Sequence, residues 1–359
     1  MTELKHNSSY APVPAGIEGF CSRKQAMDQS FLLFGLAALL AYVYAFVSGF
    51  TDAANAIATS VGSRVLSPRA ALATAAVFNL IGGLTGTAVA LTIGRGIVDP
   101  GALTLSTVIA GVAGAMCWSL ITYRLGIPVS ETHGLVGGLI GAAIVTAGAG
   151  IVEWQRVMSV LASILVSPVF GFAGGAILIL AVYWTFHRSD RRVVKPWFIH
   201  LQRASAAYMA FSHGRNDAQK PMGVLAMAFA VQYELKELHV APWIVVSCSA
   251  AAALGTWYGG WRIIKTLGSK LTDLNPVQGF AAEVSGATVL HLASEAGVPV
   301  STTHAITSSI IGVGAVRRRS SVRWSVLLEI FASWIVTLPA TILMGGAIMY
   351  ALRALPGGG

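Results

Sequence analysis

Charge is what this chain has least of. Asp, Glu, Lys and Arg make up 11% of its 359 residues, against about 25% in an ordinary soluble domain. Hydrophobic residues make up 55% and the mean hydropathy is +0.69, so the chain is read as an all-α polytopic membrane protein. Cysteine is also scarce. Cys21, Cys117 and Cys248 form neither a disulfide framework nor a metal-ligand spacing. There is no His-Glu-x-x-His, no phosphate-binding Gly-x-x-x-x-Gly-Lys-Ser/Thr loop and no Gly-x-Ser-x-Gly elbow with an evident triad. The chain is therefore not read as an enzyme or an ATP-driven motor, and no cofactor is expected. The first 30 residues lack a short apolar core before a cleavage site, so no signal peptide is expected. The net charge of +9 could suggest nucleic acid. The basic residues, however, sit in short loops between apolar segments, as the positive-inside rule requires, which excludes that partner.

What is present comes twice. Gly49-Phe50-Thr51-Asp52-Ala53-Ala54-Asn55 interrupts one apolar run and Gly214-Arg215-Asn216-Asp217-Ala218-Gln219-Lys220 another, with Asp52 and Asp217 165 residues apart. Pro128-Val129-Ser130-Glu131-Thr132-His133 and Pro299-Val300-Ser301-Thr302-Thr303-His304 stand 171 residues apart. The chain is thus an internal duplication: a polar tail over 1–30, a first repeat over 31–187, a basic linker over 188–202 and a second repeat over 203–353. Apolar stretches run over 31–61, 70–94, 101–123, 130–149 and 155–187, then 203–231, 243–264, 277–294, 302–316 and 324–352. About 20 residues are needed per spanning helix.

Basic loops at Arg64/Arg69, Arg188–Arg203, Arg262–Lys270 and Arg317–Arg323 are assigned to the cytoplasm. The connection 232–241, with Glu234 and Glu237, is assigned to the outside. Both termini then fall outside, and an odd number of spans per repeat inverts the second repeat. Inverted repeats with broken helices are a secondary-transporter architecture, with the site near the midplane. Among the 39 glycines, the spacings Gly134/Gly138, Gly137/Gly141 and Gly171/Gly175 suit close helix packing.

The two motif types imply different chemistry. Helices broken at Gly49 and Gly214 would free backbone carbonyls beside Asp52, Asn55, Asn216 and Asp217. Such oxygens suit a small hard cation, and a carboxylate alone can carry a proton. In the Pro-Val-Ser segments, Gly126 with Pro128 and Gly297 with Pro299 end one helix, while Ser130 and Ser301 are expected to N-cap the next. Helix N-termini present free amides that bind oxyanions. Hydroxyls of Ser130, Thr132, Ser301, Thr302 and Thr303 would add donors. The competing reading at one copy is ordinary capping; two inverted copies favour an anion site. His133, His304 and His213 are open between proton carriers and packing residues. Glu283 lies deep in an apolar stretch, where the first repeat has Val112, and is a candidate for coupling ion or proton. Asn79 reads as a polar contact between helices.

These residues resemble the inorganic phosphate transporter (PiT) family. The carriers are Gly49 to Thr59, Ser212 to Lys220, Gly279-Phe280-Ala281-Ala282-Glu283 and the two Pro-Val-Ser-x-Thr-His segments, and the resemblance runs from about 31 to 352. It implies two inverted repeats of about 10–12 transmembrane elements including re-entrant hairpins, hairpin tips that help hold phosphate, and a homodimer in lipid. On that basis the substrate-binding set is Ser130, Thr132, Ser301, Thr302, Thr303, Asn55, Asn216, Gln219 and Lys220. The coupling-ion set is Asp52, Asp217, Glu283, His133 and His304.

Two departures matter. Glu131 stands where the second repeat has Thr302, which argues against a direct anion contact there. Lys220 stands where the first repeat has Asn55, and sodium-using members of the family tend to carry asparagine in both repeats. An ammonium there would fill or repel a cation site. The expectation is therefore a bacterial inner-membrane phosphate importer coupled to H+, with Na+ as its rival. Sulfate or metal-phosphate symport on the same fold, a passive anion channel and a receptor are also compatible with these residues.

Overall fold

A computed structural model describes residues 15–98, 100–317 and 322–354. Residues 1–14 of the tail, Arg318 and Arg319 of the last basic loop, and residues 355–359 lie outside the described residues. Among the described residues there is no β-strand, only an isolated bridge between Val98 and Val152. A chain in hydrocarbon must satisfy its backbone internally, and helices do so within one segment.

The first half runs α1 (Ala15–Thr51), α2 (Ala53–Gly62), α3 (Pro68–Gly83), α4 (Ala88–Gly96), α5 (Leu105–Leu125), α6 (Glu131–Ala147) and α7 (Trp154–Thr185). The second runs α8 (Arg191–Asp217), α9 (Gln219–Gln232), α10 (Pro242–Tyr258), α11 (Trp261–Lys265), α12 (Pro276–Glu295), α13 (Thr302–Arg317) and α14 (Trp324–Ala354). A π-helical turn over Thr266–Lys270 continues α11. Each half thus repeats one order: a long helix, a break, a short helix, two consecutive shorter helices, a hairpin and a long helix. Proline lies inside α7 at Pro168 and inside α14 at Pro339.

The halves are interleaved. Hairpin helix α6 packs on α14, and α13 on α7; α3 lies on α8, and α10 on α1; α4 lies against α9, and α2 against the π turn. Among the described residues, four helical stretches are long and apolar enough to cross a bilayer: 27–62, α5, α7 and α14. The pair α3–α4, bent by 69°, makes a fifth if counted as one span. The remaining helices fall short in length, as α6 does, or in apolar character, as the 27-residue α8 does. The outer helices turn Leu165, Ile177, Ile335 and Leu343 outward, while the interior holds two large apolar clusters together with many buried polar side chains.

The helix ends follow local chemistry. Ser67 caps α3 ahead of Pro68, Thr104 caps α5, and Asn275 with Gln278 forms a capping box on α12. Gly126 and Gly297 end α5 and α12 with φ of 71° and 66°, where a side chain would be strained.

Two expectations change. The breaks are not at Gly49 and Gly214 but at Asp52, between α1 and α2, and at Ala218, between α8 and α9. The glycines serve packing instead. A Cβ on Gly49 would sit 2.1 Å from the carbonyl oxygen of Ala252 in α10, and one on Gly214 2.2 Å from that of Asn79 in α3. The basic segment 188–202 is also not a free linker. From Arg191 onward it is the start of α8, capped by Asp190, whose carboxylate accepts from Arg192 N at 2.8 Å. The expected small-residue packing is present at Gly137, Gly138, Gly141, Gly171 and Gly175, where an added Cβ would meet a neighbouring helix at 2.5 Å or less. Gly134 has only a methyl of Thr341, 3.8 Å from that position.

Candidate functional site

The two hairpin tips meet at the centre of the molecule. Ser130 and Ser301 are N-caps, their hydroxyls accepting from His133 N at 3.3 Å and His304 N at 3.2 Å. The next hydroxyls reach across reciprocally: Thr132 Oγ1 donates to Val300 O at 3.0 Å and Thr303 Oγ1 to Val129 O at 2.9 Å. Two helix N-termini therefore face one another, each with first-turn amides that its cap leaves over. The residues are all buried.

Against this junction lie both helix breaks. Asn55 Nδ2 donates to Thr303 Oγ1 at 2.9 Å and approaches Thr302 Oγ1 at 3.2 Å. Thr302 Oγ1 stands between two carboxylates, 3.3 Å from Asp217 Oδ2 and 3.5 Å from Asp52 Oδ2. Lys220 Nζ pairs with Asp217 Oδ1 at 2.8 Å, and His213 Nε2 lies 3.3 Å from Asp217 Oδ2. Asn79 orients that histidine: its Oδ1 is 3.2 Å from His213 Nδ1, while its Nδ2 donates to Thr256 Oγ1 at 2.8 Å. Asn216 lies 3.1 Å from Ser294 Oγ; with its amide nitrogen toward the acceptors it donates to Asp217 Oδ1 and to Val300 O.

Asp52, His213 and Asp217 offer ligand atoms within 4.8 Å of one another, a donor set that fits a cation. A void of ≈ 10 Å³ beside His213 and Asp217 has room for about one water molecule. The charges do not balance. One ammonium faces two carboxylates, and among the described residues no basic side chain is within ion-pair reach of Asp52. A buried carboxylate without a partner draws a cation or a proton.

The other expected residues lie apart. Glu283 binds three hydroxyl or amide donors, Thr59 Oγ1 at 2.6 Å, Gln202 Nε2 at 3.2 Å and Ser205 Oγ, and so ties α12 to α2 and α8. His133 and His304 form a pair, ring centres 5.1 Å apart, with His304 stacked on Trp334 at 3.7 Å. Gln219 does not face the junction: its Oε1 accepts from Val89 N at 2.8 Å and Ala90 N at 3.1 Å, and its Nε2 donates to Arg215 O at 2.6 Å. Its amide is spent on backbone, which removes it from the substrate-binding set. Glu131 is buried beside the junction, accepting from Thr51 Oγ1 at 3.0 Å and Ser119 Oγ at 2.7 Å.

The model of the phosphate transporter family (PHO4) matches residues 48–345. The chain belongs to this family. It is 46% identical over 322 residues to the probable low-affinity inorganic phosphate transporter of Rhizobium meliloti (strain 1021), covering 89% of this chain and 96% of that one. It is 38% identical to the protein of the same description in Bacillus subtilis (strain 168), covering 92% and 100%. A solved structure described as the sodium-dependent phosphate transporter superposes with a TM-score of 0.82 at 26% identity, over 90% of this chain and 100% of the other. As a member of the phosphate transporter family the protein is a membrane-embedded transporter and not an enzyme.

Sequence reasoning missed the surroundings of the tips. Thr92 of α4 donates to Gly297 O at 2.8 Å, and Thr266 of the π turn donates to Gly126 O at 2.9 Å, so each tip is clasped by the other half. Two open cavities of ≈ 710 Å³ each adjoin these clasps. One is lined by Arg64, Trp261, Lys265 and Asp273, the other by Arg95, Glu234, Lys236 and Glu237. Arg64 and Glu234 are the positive-φ non-glycine residues among those described, at 62° and 51°. Of these pairs only the tip glycines, Gly126 and Gly297, keep the 171-residue spacing of the motifs; the clasping threonines do not, so no motif spacing marked the clasps.

Proposed function

We propose that this chain imports inorganic phosphate across the bacterial inner membrane by proton-coupled symport, with the second half inverted relative to the first. The inversion rests on the repeated order of elements and on the exchange of partners between halves. Phosphate is favoured by the family and by the facing helix N-termini, which suit an oxyanion. The substrate set is Ser130, Thr132, Ser301, Thr302 and Thr303 with Asn55, Asn216 and Lys220. Separation of the tips breaks the Thr132–Val300 and Thr303–Val129 bonds and turns those hydroxyls to the anion. Closure restores them, so the bound anion replaces hydrogen bonds rather than burying unmet donors.

The observation that carries proton coupling is Lys220 Nζ at 2.8 Å from Asp217. A fixed ammonium stands where the first half presents an amide, and it fills one face of the would-be cation site. Asp52 is left as the carrier of a single mobile charge, with Glu283 and the His133–His304 pair as further proton-carrying groups. A second reading, sodium symport, is favoured by the Asp52–His213–Asp217 donor set and by the description of the structural neighbour. Homodimerisation in lipid is proposed on the family resemblance alone.

Radiolabelled phosphate uptake into proteoliposomes tests these readings. Accumulation under an imposed proton gradient without sodium is expected. Accumulation only with sodium overturns proton coupling. Downhill flux without accumulation points to a channel, and accumulation of labelled sulfate in place of phosphate overturns the substrate.

A further inference from the structure

Short helices such as α4 have a problem at their N-termini. The first-turn N–H groups have no intrahelical partner, and an N-cap side chain normally accepts one or two of them. Thr87, at the N-cap of α4, makes no such bond. The acceptor comes instead from a residue 130 positions away. Gln219 Oε1 takes Val89 N at 2.8 Å and Ala90 N at 3.1 Å, the amides that a local cap would serve. The other end of the same amide holds Arg215 O, so Gln219 is fixed to its own helix break. Gln219 is 1% exposed, and Gly86 leaves the room it needs: a Cβ there would lie 3.2 Å from Gln219 Nε2.

One turn along α4, Thr92 clasps the second hairpin tip through Gly297 O. Further along, Arg95 holds Leu238 O at 2.6 Å at the rim of one cavity. A continuous path therefore runs from Asp217, over the break at Ala218, through Gln219 to the start of α4, and from α4 to the tip. The other half has the same clasp, Thr266 to Gly126 O, but not the same tether. Ala54 stands where Gln219 stands, and α11 has Gly260 at its N-cap position and no side-chain cap.

We propose that Gln219 is a positioning residue that caps α4 in trans and makes release of the α4–Gly297 clasp depend on the helix break carrying Asp217. The clasp formed by α11 and its π turn packs on α2, which follows the break at Asp52, but has no side-chain cap of this kind. The two doors are then unequal: one is tied to the charged site by hydrogen bonds, the other by packing alone. This rests on the reading that the hairpin tips enclose the substrate.

The experiment is amide hydrogen exchange on the full chain in lipid nanodiscs, first without phosphate, together with equilibrium binding of inorganic phosphate. In Gln219→Met, which keeps length but removes the acceptor, exchange at Val89 and Ala90 is expected to rise about tenfold, the order of factor an N-cap supplies. Exchange over 261–270 stays unchanged and the phosphate Kd stays within about twofold. Gln219→Glu, which when protonated accepts both amides through one oxygen and donates to Arg215 O through the other, restores protection. Thr92→Val is expected to loosen the Gly297 tip while Val89 and Ala90 stay protected. Unchanged exchange at α4 in Gln219→Met overturns the proposal. So does loss of phosphate binding with α4 still protected, which is the signature of a direct ligand. The phosphate-free arm does not depend on the substrate assignment. If wild type fails to bind phosphate while α4 responds as expected, the assignment falls and the cap stands.

Discussion

Replacing Lys220 by Asn should turn a protein indifferent to sodium into one that sodium stabilises. In the wild type the ammonium lies 2.8 Å from Asp217 Oδ1 and both side chains are buried. At an effective dielectric of about 20, charges at that distance attract by roughly 6 kcal/mol. Removing one partner of a buried pair costs about 3–5 kcal/mol in practice, since the remaining charge is left uncompensated. Lys220→Asn therefore leaves Asp52 and Asp217 as two carboxylates with no cation and adds one amide oxygen beside them. A sodium ion can fill that gap; at about 100 times its Kd a ligand returns about 2.7 kcal/mol, most of the loss. The assay is thermal unfolding of purified protein in sodium against choline. The variant should melt well below wild type in choline and recover by several degrees as sodium rises. Lys220→Met, which lacks the oxygen, should be destabilised and recover less. Equal sodium responses in wild type and Lys220→Asn, or no loss of stability in choline, would refute the argument that the ammonium occupies a cation position.

Asp52→Asn and Asp217→Asn should both abolish phosphate accumulation in proteoliposomes but differ in stability. Asp52→Asn removes an unbalanced charge and should leave the melting temperature near wild type, whereas Asp217→Asn strands Lys220 and should cost about 3–5 kcal/mol. Ser301→Ala with Thr303→Ala removes one cap and one cross-tip bond and should weaken phosphate binding; an unchanged Kd in equilibrium binding rejects the tip site. Gly49→Ala places a methyl 2.1 Å from Ala252 O, which forces α1 and α10 apart, and should lower stability by about 1–3 kcal/mol or more on unfolding in a mild denaturing detergent.

The duplicated polar motifs were legible because charge is so costly in an apolar chain that each instance stands out. Ser130 and Ser301 were legible as caps because capping is local: the acceptor and the amide are three residues apart. The breaks were misplaced because glycine has two uses that a sequence does not separate, freedom of the backbone and absence of a side chain. At Gly49 and Gly214 the second use applies, and the partners that reveal it, Ala252 and Asn79, are remote in sequence. Gln219 was misread for the same reason. It lies between Asp217 and Lys220 in sequence, but its bonds run to Val89 and Ala90, and no local pattern marks a cap supplied from another helix.

The differences between the halves are as informative as their likeness. The frame repeats closely: reciprocal Thr132–Val300 and Thr303–Val129 bonds, a threonine clasp on each tip glycine, and a proline inside each closing helix. The side chains diverge at many corresponding pairs, among them Ala54 against Gln219, Asn55 against Lys220, Ser48 against His213, Thr51 against Asn216, Val112 against Glu283, and Glu131 against Thr302. A symmetric frame gives two equivalent states facing opposite sides, which alternating access needs. Identical side chains in both halves would give those states equal energy and equal affinity at every step. All of these but Val112/Glu283 lie at or near the charged junction or its tether, where a change in ionisation acts differently on the two doors. On the proposed transport reading the gradients set the direction of net flux, while these substitutions make the two states unequal in energy; the Gln219 tether is the one whose effect can be read without any transport at all.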